Sequence, residues 1–349
     1  MIEKSSITSM EVFRKKRISL AKFGLFLALL SSFVLVFFSL FNSGAQTIVL
    51  GAMGESTVLA TIVTALIVLG FGEFGAGIIL ILYKLATGSP ITEYKGLWDL
   101  KASRIVLISA LAAGPLATGC LMIAIPLCGI TYANSVLALT PMLVALASRI
   151  FLKEIPVRRV YIGIAISVIG VMIASYSPPQ GVSNFYLGIM FALFCPIGFC
   201  VESMVSSRVM DLTDPIEVCG FYRCLFGGLF DVAVPLIICL VFGKMELFLQ
   251  VFQFVFSSST ALLFVVISAV AIAFQYSTAY ISYNYCGPSR GMAITFSTPV
   301  WSIPIGYLMA SIFPYSVTKQ GMVAAFIVVI GMVLIVIKPS ELFTMRETA

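Results

Sequence analysis

Apolar stretches of about 20 residues recur along the whole chain, each long enough to cross about 30 Å of hydrocarbon as a helix. Short polar breaks separate them and divide the chain into ten expected spans: Phe23 to Ala45, Thr57 to Leu82, Ile105 to Pro126, Ile130 to Leu152, Pro156 to Tyr176, Tyr186 to Val205, Ile216 to Val241, Thr260 to Ile281, Ser289 to Phe313 and Thr318 to Ile337. Several connections are only a few residues long, so those neighbours are expected to pack antiparallel. The expected class is an all-α polytopic membrane protein with the bilayer as its solvent.

Charge tests the division, because alternate loops should differ in Lys and Arg if the spans are drawn correctly. Of the 21 Lys and Arg, 18 fall in the two tails and in the loops after the second, fourth, sixth and eighth spans. Only Lys244 and Lys319 lie on the other side, and Arg223 lies within a span. Both termini are then expected in the cytoplasm, which requires an even number of helices. The long apolar run after Arg14 to Arg17 is expected to be a retained first helix rather than a cleaved signal.

An internal repeat appears at an offset of 158 residues: Cys128-Gly129 matches Cys286-Gly287, Thr140-Pro141 matches Thr298-Pro299, and Gly163 matches Gly321. Five spans per half is odd, so the second half enters the membrane from the opposite side. The expected organisation is a cytoplasmic N-terminal segment (1–22), a first five-helix repeat (23–176), a linker (177–185), an inverted second repeat (186–338) and a cytoplasmic tail (339–349). Two inverted halves around one central site are a common plan of secondary transporters.

Composition narrows the chemistry. The 349 residues are 60% hydrophobic and 10% charged, with a mean hydropathy of +1.10, whereas about one quarter of a soluble domain is charged. The net charge of +6 is scattered over short loops, which speaks for topology and against a nucleic-acid partner. The eight cysteines fall inside or at the ends of apolar runs without disulfide or zinc spacing, and read as small core residues. The chain has no histidine, which removes HExxH metalloproteases, imidazole-based triads and the commonest metal sites. No phosphate-binding glycine loop is present, and nothing in the sequence calls for a cofactor.

The stretch Leu137 to Gly170, with a Thr-Pro inside the helix, a Leu-x-Glu turn at Leu152 to Glu154 and a following helix opened by Gly163, resembles the fourth and fifth helices of the EamA-like branch of the drug/metabolite transporter superfamily. The pattern repeats from Ser297 to Gly331, and Gly220-Phe221-Tyr222-Arg223 is similar to the family's seventh helix. The sequence departs from the pattern at Ile312, which stands where the first half has Glu154, and at Glu73, in a helix that often carries arginine. The resemblance implies ten helices, a central cavity lined mainly by the first four helices of each half, more peripheral fifth and tenth helices, and transport of small metabolites.

Charged side chains inside a bilayer are costly and point to function by default. Four qualify: Glu73, Glu202, Arg223 and Asp231. Glu202 and Arg223 lie about two turns or less from the cytoplasmic ends of their helices, where they could pair as a gate or as a plain salt bridge. Glu73 and Asp231 lie deeper, roughly ten residues from a surface, where a carboxyl could load and release a coupling proton; the alternative is that one of them pairs with Arg223.

In the eighth span Tyr276, Tyr280 and Tyr283 form one helical stripe with Asn284 at its flank, a candidate cavity wall for an amine, an amino acid or a nucleobase-like solute. Interhelical hydrogen bonding or an aromatic belt would explain the same pattern. Asn134 and Trp301 lie near the repeated Thr-Pro and join the candidate binding residues. Pro141 and Pro299 are candidate hinges, each expected to kink its helix in the middle. Gly163, Ser167, Gly170 and Ala174 form a small-residue stripe, suited to close helix contact within the monomer or across a homodimer, the former being favoured.

The function expected is a secondary active transporter of a small polar metabolite, proton-coupled or exchanging, in the plasma (inner) membrane, and not an enzyme. The rivals are a membrane-embedded transferase, for which the chain has few acid/base groups, and a non-transport membrane protein of the same fold.

Overall fold

The computed structural model describes residues 2–54, 57–88, 101–151, 158–176, 178–179, 182, 184–210, 214–286, 288–313 and 315–336. The Leu152 to Glu154 turn, four of the nine residues of the expected linker and the expected C-terminal tail lie outside them. Among the described residues every regular element is helical.

Among the described residues eight helices are long and apolar enough to cross a bilayer, so the chain is a polytopic integral membrane protein in contact with lipid. Helix α1 runs Ile2–Met53, α2 Val58–Ala86, and α3 is continuous over Lys101–Leu111, Ala112–Gly119 and Cys120–Cys128. Helix α4 is broken into Ile130–Leu137 and Thr140–Phe151, and α5 runs Arg158–Ser175. Helix α6 runs Phe185–Val209 and α7 joins Pro215–Glu217, Val218–Phe226 and Gly227–Val241. Then follow α8 (Met245–Ser257), α9 (Ser259–Cys286), α10 in two pieces (Pro288–Thr295 and Thr298–Leu308) and α11 (Lys319–Val336).

Three expectations are corrected here. The apolar part of α1 spans Ile18–Met53 and continues N-terminally without interruption to Ile2, so the boundary expected at residue 22 falls inside a helix. The connection after the seventh span contains α8, whose Phe248, Val251 and Val255 pack inward while Leu249, Phe252 and Phe256 face out; the apolar residues all round it were hidden by its short length. The ninth span is two short pieces rather than one crossing helix.

Local chemistry explains the boundaries. Thr57 caps α2 by accepting a hydrogen bond from the Ala60 N–H at 3.2 Å, and Asp214 caps α7 through the Ile216 N–H at 2.8 Å, with Pro215 at the first turn. Between α3 and α4 the chain turns at Gly129, whose φ of 93° is a conformation other residues adopt only under strain.

The helix boundaries also repeat. The three pieces ending at Cys128, ending at Leu137 and starting at Thr140 have counterparts ending at Cys286, ending at Thr295 and starting at Thr298, each 158 residues later. Packing follows the same correspondence: α1 lies along α9 and touches α10, while α6 lies along α3 and touches α4. Helices α2 and α7 pack on each other, as do α5 and α11. The Gly163 and Gly170 stripe is used within the monomer, where Cβ atoms at these positions would lie 2.6 Å from the Gly331 carbonyl and 2.9 Å from the Val328 nitrogen.

Large apolar side chains cover the outside, among them Phe26, Ile108, Val241 and Ile330. In water such a belt would drive aggregation; in a bilayer it faces lipid. The interior carries an unusual load of polar groups, including fully buried Ser31, Asn42, Glu73, Asn134, Ser167, Asp231 and Thr298.

Candidate functional site

A cavity of about 760 Å³ opens where α1 ends and α9 begins, walled by Leu40, Gly44, Ile130, Phe264, Phe313 and Tyr315. This is the end of the bundle opposite the one where Lys84 meets Asp214 at 3.6 Å and Glu217 at 3.3 Å. Phe264 and Phe313 among its lining residues contact each other and the neighbouring ring of Phe41, at centroid distances of 5.2 to 5.5 Å. Beside them Thr131 and Tyr315 hydroxyls lie 2.9 Å apart, and Ser302 donates to Thr131 at 3.4 Å.

On the far side of α9 the charged residues converge. Arg223 sits on a widened, π-helical stretch of α7 (Val218–Phe226) and is 2% exposed. Its Nη1 donates to Glu73 Oε2 at 2.6 Å, and its Nε lies 3.0 Å from Glu202 Oε1. Its Nη2 donates to the Ala113 carbonyl at 3.1 Å, to Thr118 Oγ1 at 2.6 Å and to the Tyr276 hydroxyl. Tyr280 donates to the other side of the cluster, at Glu202 Oε1.

Within the π-helical stretch of α3 (Ala112–Gly119) the Ala113 carbonyl accepts from both Thr118 and Arg223. Single π turns inside α-helices are frequent at functional sites, and here one supplies the cation and the other a ligand for it.

Backbone contact between α2 and α7 holds the ion pair. A Cβ on Gly228 would lie 2.5 Å from the Phe74 nitrogen and 2.7 Å from the Gly70 carbonyl, so only glycine lets the helices approach closely enough for Glu73 and Arg223 to meet. Asp231, one turn beyond Gly228 on α7, is fully buried and faces the Glu73 carboxyl, and neither of its oxygens meets an N–H or hydroxyl donor. The cluster thus contains three carboxyls and one guanidinium, all buried. Full ionisation would leave two uncompensated negative charges in a region without water's dielectric, at a cost of several kcal/mol each.

These positions correct several expectations. Arg223 and Glu202 do pair, and Glu73 joins them, so the guanidinium bridges the carboxyls expected at two depths. Tyr276 and Tyr280 are hydrogen-bonded into the cluster instead of presenting free phenols to a cavity. Tyr283 packs against Gly291, and Asn284 is half-buried. Pro141 and Pro299 do not kink continuous helices: each stands second in a new helix that starts after a break. There Pro lacks only an N–H that would have no partner in any case.

Asn134 and Trp301 lie beside the two breaks, one turn on either side. Asn134 is 0% exposed with neither amide atom paired, and Trp301 Nε1 is likewise unpaired. Sequence reasoning missed Thr118, Gln275 and Thr298; the 158-residue offset relates Thr118 to Tyr276, whose hydroxyls meet at 3.0 Å, and would have singled out the first.

No family model matches the chain. It is similar to protein LicB of Haemophilus influenzae, with 23% identity over 202 residues, covering 58% of this chain and 65% of that protein. The chain thus spans less than two thirds of its curated relative. A solved structure, described only as the crystal structure of a protein, superposes with a TM-score of 0.53 at 19% identity, over 90% of this chain and 95% of the other. That likeness is one of fold, and it takes in nearly the whole of both chains.

Proposed function

We propose that this chain is a secondary carrier of the EamA-like kind, moving a small polar metabolite across the plasma (inner) membrane by alternating access, with no chemical step on its cargo. In this reading the ten sequence spans form two inverted five-helix halves with both termini in the cytoplasm. The observation that carries the reading is the pair of helix interruptions ahead of Thr140-Pro141 and Thr298-Pro299, in register at 158 residues and set below the open cavity. Interrupted helices at the interface of two repeats are where carriers bind solute and pivot.

The carboxyls of Asp231 and Glu73 supply the coupling site. Their arrangement suits a proton held between them while Arg223 compensates the remaining charge, and exchange of that proton as access alternates would tie transport to the gradient. Pro141 and Pro299 then act as pivots by starting the moving half-helices.

The test is solute uptake by the purified chain in liposomes with and without an imposed proton gradient. Saturable, gradient-stimulated uptake is expected; product formation from a lipid or nucleotide with no uptake would overturn the reading in favour of a transferase.

A further inference from the structure

Helix α9 separates two polar regions of opposite character. Tyr276 turns toward Arg223 and the three carboxyls; Gln275, about 100° away at 3.6 residues per turn, turns toward α1. There it donates from Nε2 to Ser31 Oγ at 3.1 Å and receives nothing at Oε1. Ser31 in turn donates to the Gln275 carbonyl at 3.0 Å, and the Ser32 and Ser297 hydroxyls lie 3.2 Å apart.

The unsatisfied groups of this second region lie on α4, α10 and α9. Helices α4 and α10 run antiparallel and touch through Thr131 and Ser302. One turn further from the cavity, Asn134 on α4 comes level with Thr298 on α10. Asn134 Nδ2 and Oδ1, Thr298 Oγ1 and Trp301 Nε1 are buried without partners. Asn134 and Thr298 are each 0% exposed and Gln275 is 2% exposed. Trp301 is part-exposed and its ring stands edge-on to Phe33 at 5.3 Å. Since Ile130 lines the open cavity, Asn134 lies about 6 Å, one helical turn, beneath its wall.

The region is also without charge. No acid or base occurs in residues 23–54, 130–148, 260–286 or 291–318, the segments that supply it. A buried polar group left unmade is costly, and four such atoms on the touching helices α4 and α10, with a fifth at Gln275 on the α1 side of α9, leave donors and acceptors for a partner to fill.

We propose that the solute is held here, by Asn134, Thr298, Trp301 and Gln275, and that its recognised part is an uncharged planar group carrying both hydrogen-bond donors and acceptors, of the amide, lactam or nucleobase type. The inference rests on the carrier reading and narrows it. Two donors, two acceptors and a hydroxyl that serves as either match the mixed edge of such a group, and the Trp301 and Phe33 rings offer it flat apolar surface. An ammonium or carboxylate would enter without a counter-ion, because α9 stands between this region and the charged cluster.

The experiment uses the full chain in lipid nanodiscs with Trp98→Phe, which leaves Trp301 as the sole tryptophan of the two. Uracil and nicotinamide are titrated against tetramethylammonium and β-alanine, reading tryptophan emission, and the same four solutes are tested for uptake in liposomes. A saturable response to uracil or nicotinamide is expected, with Kd raised about tenfold or more by Asn134→Leu and several-fold by Thr298→Val. Ser167→Ala, in the contact between α5 and α11, should leave it unchanged. Thr298→Val keeps shape and guards against a fold loss in Asn134→Leu. A response confined to the charged solutes, no response to either uncharged one, or binding indifferent to both substitutions overturns the assignment. Uptake of the charged solutes alone would leave the carrier standing while removing this site; absence of uptake for every solute tested, these four and a wider metabolite panel, would remove the carrier itself.

Discussion

Two pairs of helices in this protein are joined by the same device and used differently. Helices α5 and α11 meet backbone to backbone through Gly163, Gly170 and Gly331, with Ser167 donating to the Val328 carbonyl at 3.4 Å. Helices α2 and α7 meet through Gly70, Gly77 and Gly228, but their contact also brings Glu73 onto Arg223. In the first pair, close approach yields dispersion contact between helices at the edge of the bundle. In the second it sets the distance between charges. Small residues alone therefore say where helices touch; the ionisable residues beside them say what the touch is for.

The comparison breaks most severely at Arg223. Arg223→Met leaves three buried carboxyls without their cation and is expected to cost about 3–5 kcal/mol, seen as loss of monodisperse protein or a large drop in the midpoint of thermal unfolding in detergent. Gly228→Val comes next, at about 1–3 kcal/mol from overpacking, with a loss of uptake beyond its loss of stability because the ion pair is forced apart. Gly331→Val should destabilise by a similar amount, yet uptake per folded molecule should survive; equal functional losses in the two valine variants would erase the distinction between the pairs.

Smaller effects sharpen it. Tyr280→Phe removes one hydrogen bond to Glu202 and should lower stability by about 1 kcal/mol, measured in the same unfolding assay. Asp231→Asn is expected to have the least effect on stability, since the amide keeps the shape of a carboxyl that meets no N–H or hydroxyl donor, while abolishing accumulation driven by a proton gradient and sparing solute exchange. Gradient-driven accumulation at full level in this variant would place the coupling proton elsewhere.

Much of the architecture was legible in the sequence because the bilayer enforces it: runs of about 20 apolar residues locate spanning helices, and α2, α3, α6, α7 and α9 lie close to where hydropathy put them. The recurrence of helix ends 158 residues apart was legible because it falls on Cys, Gly, Thr and Pro, residues whose positions carry backbone consequences. What hydropathy cannot carry is rotation. It marked Tyr276, Tyr280 and Tyr283 as one stripe, but which of two polar regions that stripe faced depended on where α7 presents Arg223, and a π turn moves that residue around its helix. The same limit concealed Gln275, which looks like its neighbours in composition and differs from them only in direction. Helix α8 escaped because it is too short to cross a membrane, and the break before Thr298 because proline reads alike inside a kinked helix and at the start of a new one.

The aromatic lining of the cavity has an electrical consequence. Water filling the space beside Phe264 and Phe313 would carry the potential of its bath inward to those rings, so a membrane voltage would fall across the protein that remains beyond them. A charge moving the whole way through that field gains about 2.3 kcal/mol per 100 mV. A proton travelling between those rings and Asp231 would collect part of it over a short path.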